Sequence, residues 1–283
     1  ISIGAFPGQA QLVKEYKVSE RKGFDLVRLD FASYKSITQL KRVVSQDPIY
    51  IHGHLQKSNI LPDFMYRIAN NKLQAQMDHK NVESNNLGKS ITSKLFSSED
   101  SFEHTWDVGL ASNFLYDLNF NLGMGKADFD LSQIHVSNFK VKSASADVSI
   151  SYGELKPNQV EMDTLLVLVN MGSVDISNAN FSNAKRMIFE VNYGSIDLNF
   201  SDGMGLPSQV IAAISGGTLH VKLPPENIPF RIKLKTTPMC RTSLPKTLKS
   251  LEKGVYVSKG YKGSDPKLLE LILDVGVGSL TVD

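Results

Sequence analysis

The sequence predicts an all-β fold, a β-solenoid of short stacked repeats with few or no helices. Three observations predict it: strand-like segments fill the chain, helical patterns are scarce, and one turn-and-strand template recurs at a near-constant period.

The strand segments, in order, are GFDLVRLDF (23–31), PIYIHGHL (48–55), DFMYRIAN (63–70), KLQAQM (72–77), FLYDLNFNL (114–122) and LLVLVN (165–170). Each is rich in β-branched and aromatic residues and is bounded by Gly, Asn, Ser or Pro. SITQLKRVVSQ (36–46) fits either a helix or a strand. One segment, SLPKTLKSLEKG (243–254), predicts a helix, with Ser243 as N-cap, Pro245 in the first turn, Leu248 and Leu251 three apart, and Gly254 as the stop.

Five segments superpose on one template: FNLGMGKADFDL (120–131), LVLVNMGSVDIS (166–177), FEVNYGSIDLNF (189–200), AAISGGTLHVKL (212–223) and LILDVGVGSLTV (271–282). KVKSASADVSIS (140–151) is a degenerate sixth copy with Ser145 at the glycine position. The template glycines, Gly125, Gly172, Gly194, Gly217 and Gly278, are 47, 22, 23 and 61 residues apart, and Ser145 divides the first interval into 20 and 27. A period near 20 to 23 in strand-rich sequence points to solenoid coils, each too thin to bury its own apolar face and completed by stacking. A meander or sandwich also gives frequent strands, but it does not require the same turn chemistry at every repeat. The glycine then marks a structural corner, where the chain needs a positive φ or a close backbone approach. By this reading residues 1–10 are a lead-in, 11–118 a strand-rich N-terminal part of the solenoid, and 119–283 the repeat-bearing part, with a basic insert near 230–267.

Charge is unevenly placed. The chain is +2 overall, yet residues 230–267 hold ten Lys/Arg against Glu252 and Asp265, so this segment is +8 and the remainder −6. Arg231, Lys233, Lys235, Lys259 and Lys262 are therefore candidate contacts to an anionic partner. FRIKLK (230–235) equally fits a half-buried strand with a solvated face. The single cysteine, Cys240, excludes an intramolecular disulfide. No apolar run is long enough to span a bilayer as a helix. ISIGAFPGQA (1–10) has the form of an apolar segment closing on Gly8-x-Ala10 before a signal-peptidase cut, and export is the expectation; an irregular lead-in is the alternative.

Motifs of chemistry are sparse. Gly123-Met-Gly125-Lys lacks the third glycine and following helix of a dinucleotide loop, and the spacing of a Walker loop, so phosphate binding is not expected. Asp128, Asp147, Asp175 and Asp197, followed by His220 and Thr281, fall just after the corners and would form a column if the coils stack in register. Strands ~4.8 Å apart would set these carboxylates to repel by about 1 kcal/mol in water, so the column would need cations, lysines such as Lys126, or solvent. The glycine- and aspartate-rich nonapeptides of calcium-binding solenoids are missing, which favours solvated turn carboxylates over a calcium site. His52 and His54 share a strand face and could be two zinc ligands only if a third arrived from elsewhere; His79, His104, His135 and His220 are scattered. No G-x-S-x-G elbow exists, and Trp106, the single tryptophan, is expected to pack in the core or cap the array.

The repeats carry a family resemblance. YDLNFNLGMGKADFDLSQIHVSNFKVKSASADVSIS (116–151) and the closing LELILDVGVGSLTVD (269–283) resemble the toast-rack β-repeats of bacterial cell-wall-active antibiotic response proteins and related adhesin-like proteins of unknown function. The resemblance covers about residues 105 to 283 and extends less closely to the strands before them. It implies a right-handed, helix-like β stack that is exported or surface-facing, with no catalytic motif to carry across. Two departures stand out: no transmembrane segment precedes the repeats as in the stress-response members, and the basic insert between Gly217 and Gly278 breaks the period.

The resulting expectation is a non-catalytic binding or scaffolding module at the bacterial cell envelope or surface, without cofactor, metal or nucleic-acid partner. Its partner would be an envelope or surface macromolecule, protein or glycan. Two other readings are a regulatory partner of an envelope-stress signalling system and a polysaccharide-active enzyme on a β-helix.

Overall fold

The computed structural model describes residues 12–55, 61–79, 104–153 and 156–283; the lead-in at 1–10 lies outside the described residues. The strands are β1 (Leu12–Val18), β2 (Leu26–Val43), β3 (Ile49–Leu55), β4 (Asp63–Ala69), β5 (Lys72–His79), β6 (His104–Ala111), β7 (Leu115–Asp130), β8 (His135–Ser151), β9 (Met162–Ser177), β10 (Ala184–Asn199), β11 (Ser208–Lys222), β12 (Phe230–Thr236), β13 (Cys240–Ser243), β14 (Lys249–Glu252), β15 (Val255–Val257) and β16 (Leu269–Val282). Ala179–Ser182 forms a 3-10 turn, and no α-helix occurs among the described residues. The open segment 36–46 is strand to Val43, the second half of β2.

The long strands are folded back on themselves. Phe120 and Phe129 lie on the same strand, and in a straight strand nine residues would separate them by about 30 Å. Their rings instead sit 4.7 Å apart. Each long strand is therefore two arms joined at a corner, and each coil is a flattened loop with its apolar side chains inside. Burial alternates along each arm and changes phase at the corner: Tyr116, Leu118, Phe120 and Leu122 point inward on the first arm of β7, then Ala127 and Phe129 on the second. That phase change is what an inserted corner residue must produce, because side chains alternate with period two.

The corner glycines explain why the coils stack in one register. Gly125, Gly172, Gly194, Gly217 and Gly278 all have φ between 129° and 144°, a region L-residues avoid. A Cβ on Gly194 would lie 1.8 Å from the carbonyl oxygen of Gly172, and one on Gly217 1.9 Å from that of Gly194. Gly125 meets the Ser36 carbonyl in the same way, and Gly278 that of Gly217. The parallel ladders set Gly172, Gly194, Gly217 and Gly278 directly beside one another.

The degenerate copy departs from the expected alignment by one residue. Ala146, rather than Ser145, stands opposite Gly125. Ala146 occupies the corner without a positive φ, and the ladder from β8 to β9 skips it and Asp147. The Asp147 carboxylate takes over part of the lost pairing, accepting hydrogen bonds from the Ser173 N–H at 3.1 Å and its hydroxyl at 2.7 Å.

Inside, one row of stacked side chains runs Phe31, Phe120, Val141, Val167, Phe189, Ala212, and the Phe189 ring lies between the smaller Val167 and Ala212. Trp106 on β6 is fully buried, as expected of a core residue, and packs edge-on against Phe31 at 6.0 Å. Gly53, its cross-strand partner on β3, has no room for a side chain, since a Cβ would come within 2.3 Å of the indole. In β2 the buried Ser36 hydroxyl donates to that of Ser33 at 2.8 Å, which satisfies two polar groups facing the interior.

Spatial order follows chain order through the middle of the stack and departs from it at both ends. β2 lies between β7 and a coil made of β5 and β6, while β16 lies between β11 and a coil made of β12 and β13. Cys240 of that last coil stands opposite Gly278 and is 23 residues beyond Gly217, so the period does continue through the long gap. The helix expected at 243–254 is not formed. Ser243 ends β13 beside Thr281, and Lys249–Val257 makes the β14–β15 hairpin, turning at Gly254 (φ 77°) and pairing with β12. An isolated helix of two to three turns is marginal in water, whereas a hairpin here completes the open edge of β12.

Replacing Gly194 by alanine is expected to cost at least about 3 kcal/mol, through the forced φ and the collision with the Gly172 carbonyl. Replacing Ala146 by glycine should cost only about 1 kcal/mol. Urea unfolding of the two variants checks this contrast.

Candidate binding surfaces

In-register stacking turns each outward position into a row across the coils. On the second arms one row reads Glu15, His52, Asp107, Gln39, Asp128, Ser149, Asp175, Asp197, His220, Thr281, Ser243. The expected carboxylate column is thereby corrected. Asp147 belongs to the neighbouring row, between Lys126 and Ser173, because the corner of its coil is Ala146. Within the main row only Asp175 and Asp197 are adjacent carboxylates, and burial together with the Asp197 charge pushes the Asp175 carboxyl up. His220 follows, with Nδ1 2.9 Å from Asp197 and Nε2 3.0 Å from Asp283. Its hydrogen bond to Asp197 outweighs burial and, with Asp283, raises its pKa above 6.5.

Three of the five candidate cations of the basic segment are engaged within the protein. Arg231 and Lys233 on β12 flank Glu270 on β16, at 2.5 Å and 2.9 Å. Gln209 also donates to Glu270, at 3.2 Å. Burial pushes the Glu270 carboxyl up, but these three donors together outweigh it and hold the pKa at about 2. Lys259 pairs with Glu226. Lys235 and Lys262 are exposed and form no ion pair among the described residues. FRIKLK is the strand its alternation predicts, Phe230 and Ile232 buried and the cations outward.

His52 and His54 do share a face, their rings 4.6 Å apart, and His52 Nδ1 lies 3.4 Å from Glu15. No group of three or more His, Cys, Asp or Glu that could hold a metal ion occurs among the described residues. Cys240 is half-buried at its corner.

One surface with the shape of a trough was not legible as a motif. On the first arms, next to the corner, an open groove of about 580 Å³ crosses β2, β7, β8, β9 and β10. Two outward rows line it: Ala32, Asn121, Lys142, Leu168, Glu190, and nearer the corner Tyr34, Gly123, Ala144, Asn170, Asn192. Ala32, Gly123 and Ala144 make its floor by being small, and Gly123 must be, since a Cβ would lie 2.4 Å from the Tyr34 carbonyl. Tyr34, 41% exposed, walls one end. Asn192 donates to Asn170 at 2.8 Å at the other. Four strand spacings make the groove about 19 Å long. Its chemistry is that of a hydrogen-bonding trough with planar amides, one cation, one anion and an aromatic face.

Together these features define an all-β, solenoid-like repeat protein whose contacts are presented in rows. Residues 43–166 match the family model described as the N-terminal domain of toast_rack, DUF2154, in agreement with the resemblance seen in the repeats. The match contains the whole of 116–151 and reaches further toward the N-terminus than the repeats alone suggested, while 269–283 lies beyond it. Among solved structures, the chain is similar to one described as a putative cell adhesion protein from Clostridium sporogenes, with 14% identity, TM-score 0.49, and 96% of this chain and 99% of that chain covered. It is also similar to one described as a putative adhesin from Bacteroides fragilis, with 11% identity, TM-score 0.35, and 99% and 100% covered. No curated protein matches the sequence. No helix among the described residues is long and apolar enough to cross a membrane.

Glu270 gives these surfaces an acid limit. Its folded pKa is below its ordinary 4.5, so its contribution is fully present above that value and is lost as pH falls toward about 2. Glu270→Gln is expected to lower stability on the order of 2 kcal/mol near neutrality, with the difference from wild type shrinking on acidification below pH ~4.5. His220→Asn should behave oppositely: the histidine's contribution is full below pH ~6.5 and disappears as pH rises through its raised pKa. Thermal unfolding across pH reads both.

Proposed function

We propose that the protein is a non-catalytic, exported binding or scaffolding module, adhesin-like, acting at the bacterial cell envelope or surface, and that it holds a hydroxyl-rich glycan along the groove beside the corners. The observation that carries this reading is the groove itself. Asn121, Asn170 and Asn192 offer paired donors and acceptors that suit hydroxyl groups, Tyr34 offers a ring face for an apolar sugar face, and the long, open shape suits a chain rather than a compact molecule. Lys142 and Glu190 lie two strands apart, about 10 Å, with Leu168 between them, an arrangement that positions charged substituents without pairing them.

Lys235 and Lys262, with the other exposed cations of the basic segment, Arg241, Lys246, Lys249, Lys253 and Lys267, lie outside the groove and would add weaker, salt-sensitive attraction for an anionic partner. Arg231, Lys233 and Lys259 would contribute to such contacts only by sharing their carboxylate partners.

Titration of envelope-derived glycans into the purified protein tests the groove. Tyr34→Ala and Asn192→Leu are each expected to weaken binding about tenfold, the loss of one stacking or hydrogen-bonding contact, with folding unchanged. Binding that both variants leave intact contradicts the assignment, and release of shortened glycan by the wild type would show an enzyme instead.

A further inference from the structure

The edge strands of the stack are not alike. β13 and β14 are only four residues each and mostly polar or charged, with Leu251 the one exposed large hydrophobic between them, and β1 carries Lys14, Glu15 and Lys17, the usual guards of an exposed edge. β4 is seven residues long, DFMYRIA, and pairs among the described residues only with β5. Met65, Tyr66 and Ile68 are 56%, 40% and 40% exposed, and Leu61 just before them 63%. Four of the twelve exposed large hydrophobic residues among those described thus fall within eight positions at one end of the molecule. The strand has no proline and no bulge, and its only charges are Asp63 and Arg67.

Those two charges are placed to recognise another copy of themselves. We propose that β4 is an interface at which two copies of this chain join edge to edge, antiparallel, about a two-fold axis through Met65. In an antiparallel ladder, residues directly opposite point to the same side, so a two-fold axis must pass through a residue. Of the possible centres, Met65 alone sets Asp63 opposite Arg67 of the second copy, twice by symmetry. The same register sets Phe64 opposite Tyr66 twice, which are favourable aromatic cross-strand pairs, and Met65 opposite itself. A centre at Tyr66 would place Asp63 opposite Ala69, and one at Phe64 would place it opposite Met65.

The surroundings favour this register. Asp63 stands opposite Asp78 within the chain, a like-charged cross-strand pair that a guanidinium from the second copy would offset. Arg67 donates through Nε to Gln74 at 3.0 Å, a bond that engages Nε and not the two terminal nitrogens with which a guanidinium grips a carboxylate. Phe64 is already stacked on Tyr16 at 5.2 Å, so the aromatic part of the edge is preorganised. Joining would convert two sheet edges into one continuous sheet.

Sedimentation velocity over a wide concentration range tests the proposal. The wild type is expected to be a dimer that dissociates on dilution. Arg67→Asp and Asp63→Arg should each raise the dimer dissociation constant about tenfold or more by setting like charges opposite, and the double variant, with the charges exchanged, should recover the dimer. Recovery separates an interface from a folding defect, because a fold damaged by either change would not be mended by the other. A wild type that stays monomeric overturns the proposal. So does a dimer that the single variants leave intact, a double variant that fails to recover, or growth into open-ended oligomers.

Discussion

The structure depends on one close approach: at each corner glycine, the carbonyl oxygen of the corner residue on the neighbouring coil sits where a side chain would be. This contact does two things at once. It permits the fold-back that puts Phe129 against Phe120, and it fixes each coil on its neighbour without the freedom to slip by a residue, since slippage would bring a Cβ onto the carbonyl and turn every inward side chain outward. Core, outer rows and groove all inherit their alignment from it.

The rows follow as a consequence. A solenoid coil is too thin to carry a site alone, so any surface larger than one coil must be assembled from equivalent positions of several. The groove shows this, with β2, β7, β8, β9 and β10 each contributing two or three residues and the hollow produced where three strands carry Ala or Gly. The acidic row shows it as well, Ser149 and Gln39 separating carboxylates that would otherwise be adjacent. Where one coil lacks the corner glycine, at Ala146, the ladder opens and the Asp147 carboxylate closes it, so a side chain stands in for lost backbone pairing.

Much of this was legible in the sequence and some of it was not, for identifiable reasons. The five corner glycines were legible because no other residue fits their φ, and the alternating strands because one face is buried. Asp147 was misplaced because Ala146 leaves no comparable mark: without a glycine, nothing local tells which of two small residues takes the corner. The helix at 243–254 failed because Pro245, Leu248 and Gly254 serve a turn, a packed leucine and a hairpin equally well, and the choice was made by the unfilled edge of β12. The insertion of β16 inside the last coil, and of β2 inside the first, rests on long-range pairing that no window of sequence contains. The groove was missed because it is defined by side chains that are small rather than by a motif; Gly123, the first glycine of GMGK, was its single trace.

The most direct measurement is the proton–proton contact map of the corner glycines in isotope-labelled protein in solution. The account predicts that the Hα protons of Gly194 lie close to those of Gly172 and Gly217 and to no other corner. Contacts displaced by one residue, pairing Gly194 with Ser173 or Thr218, would contradict it.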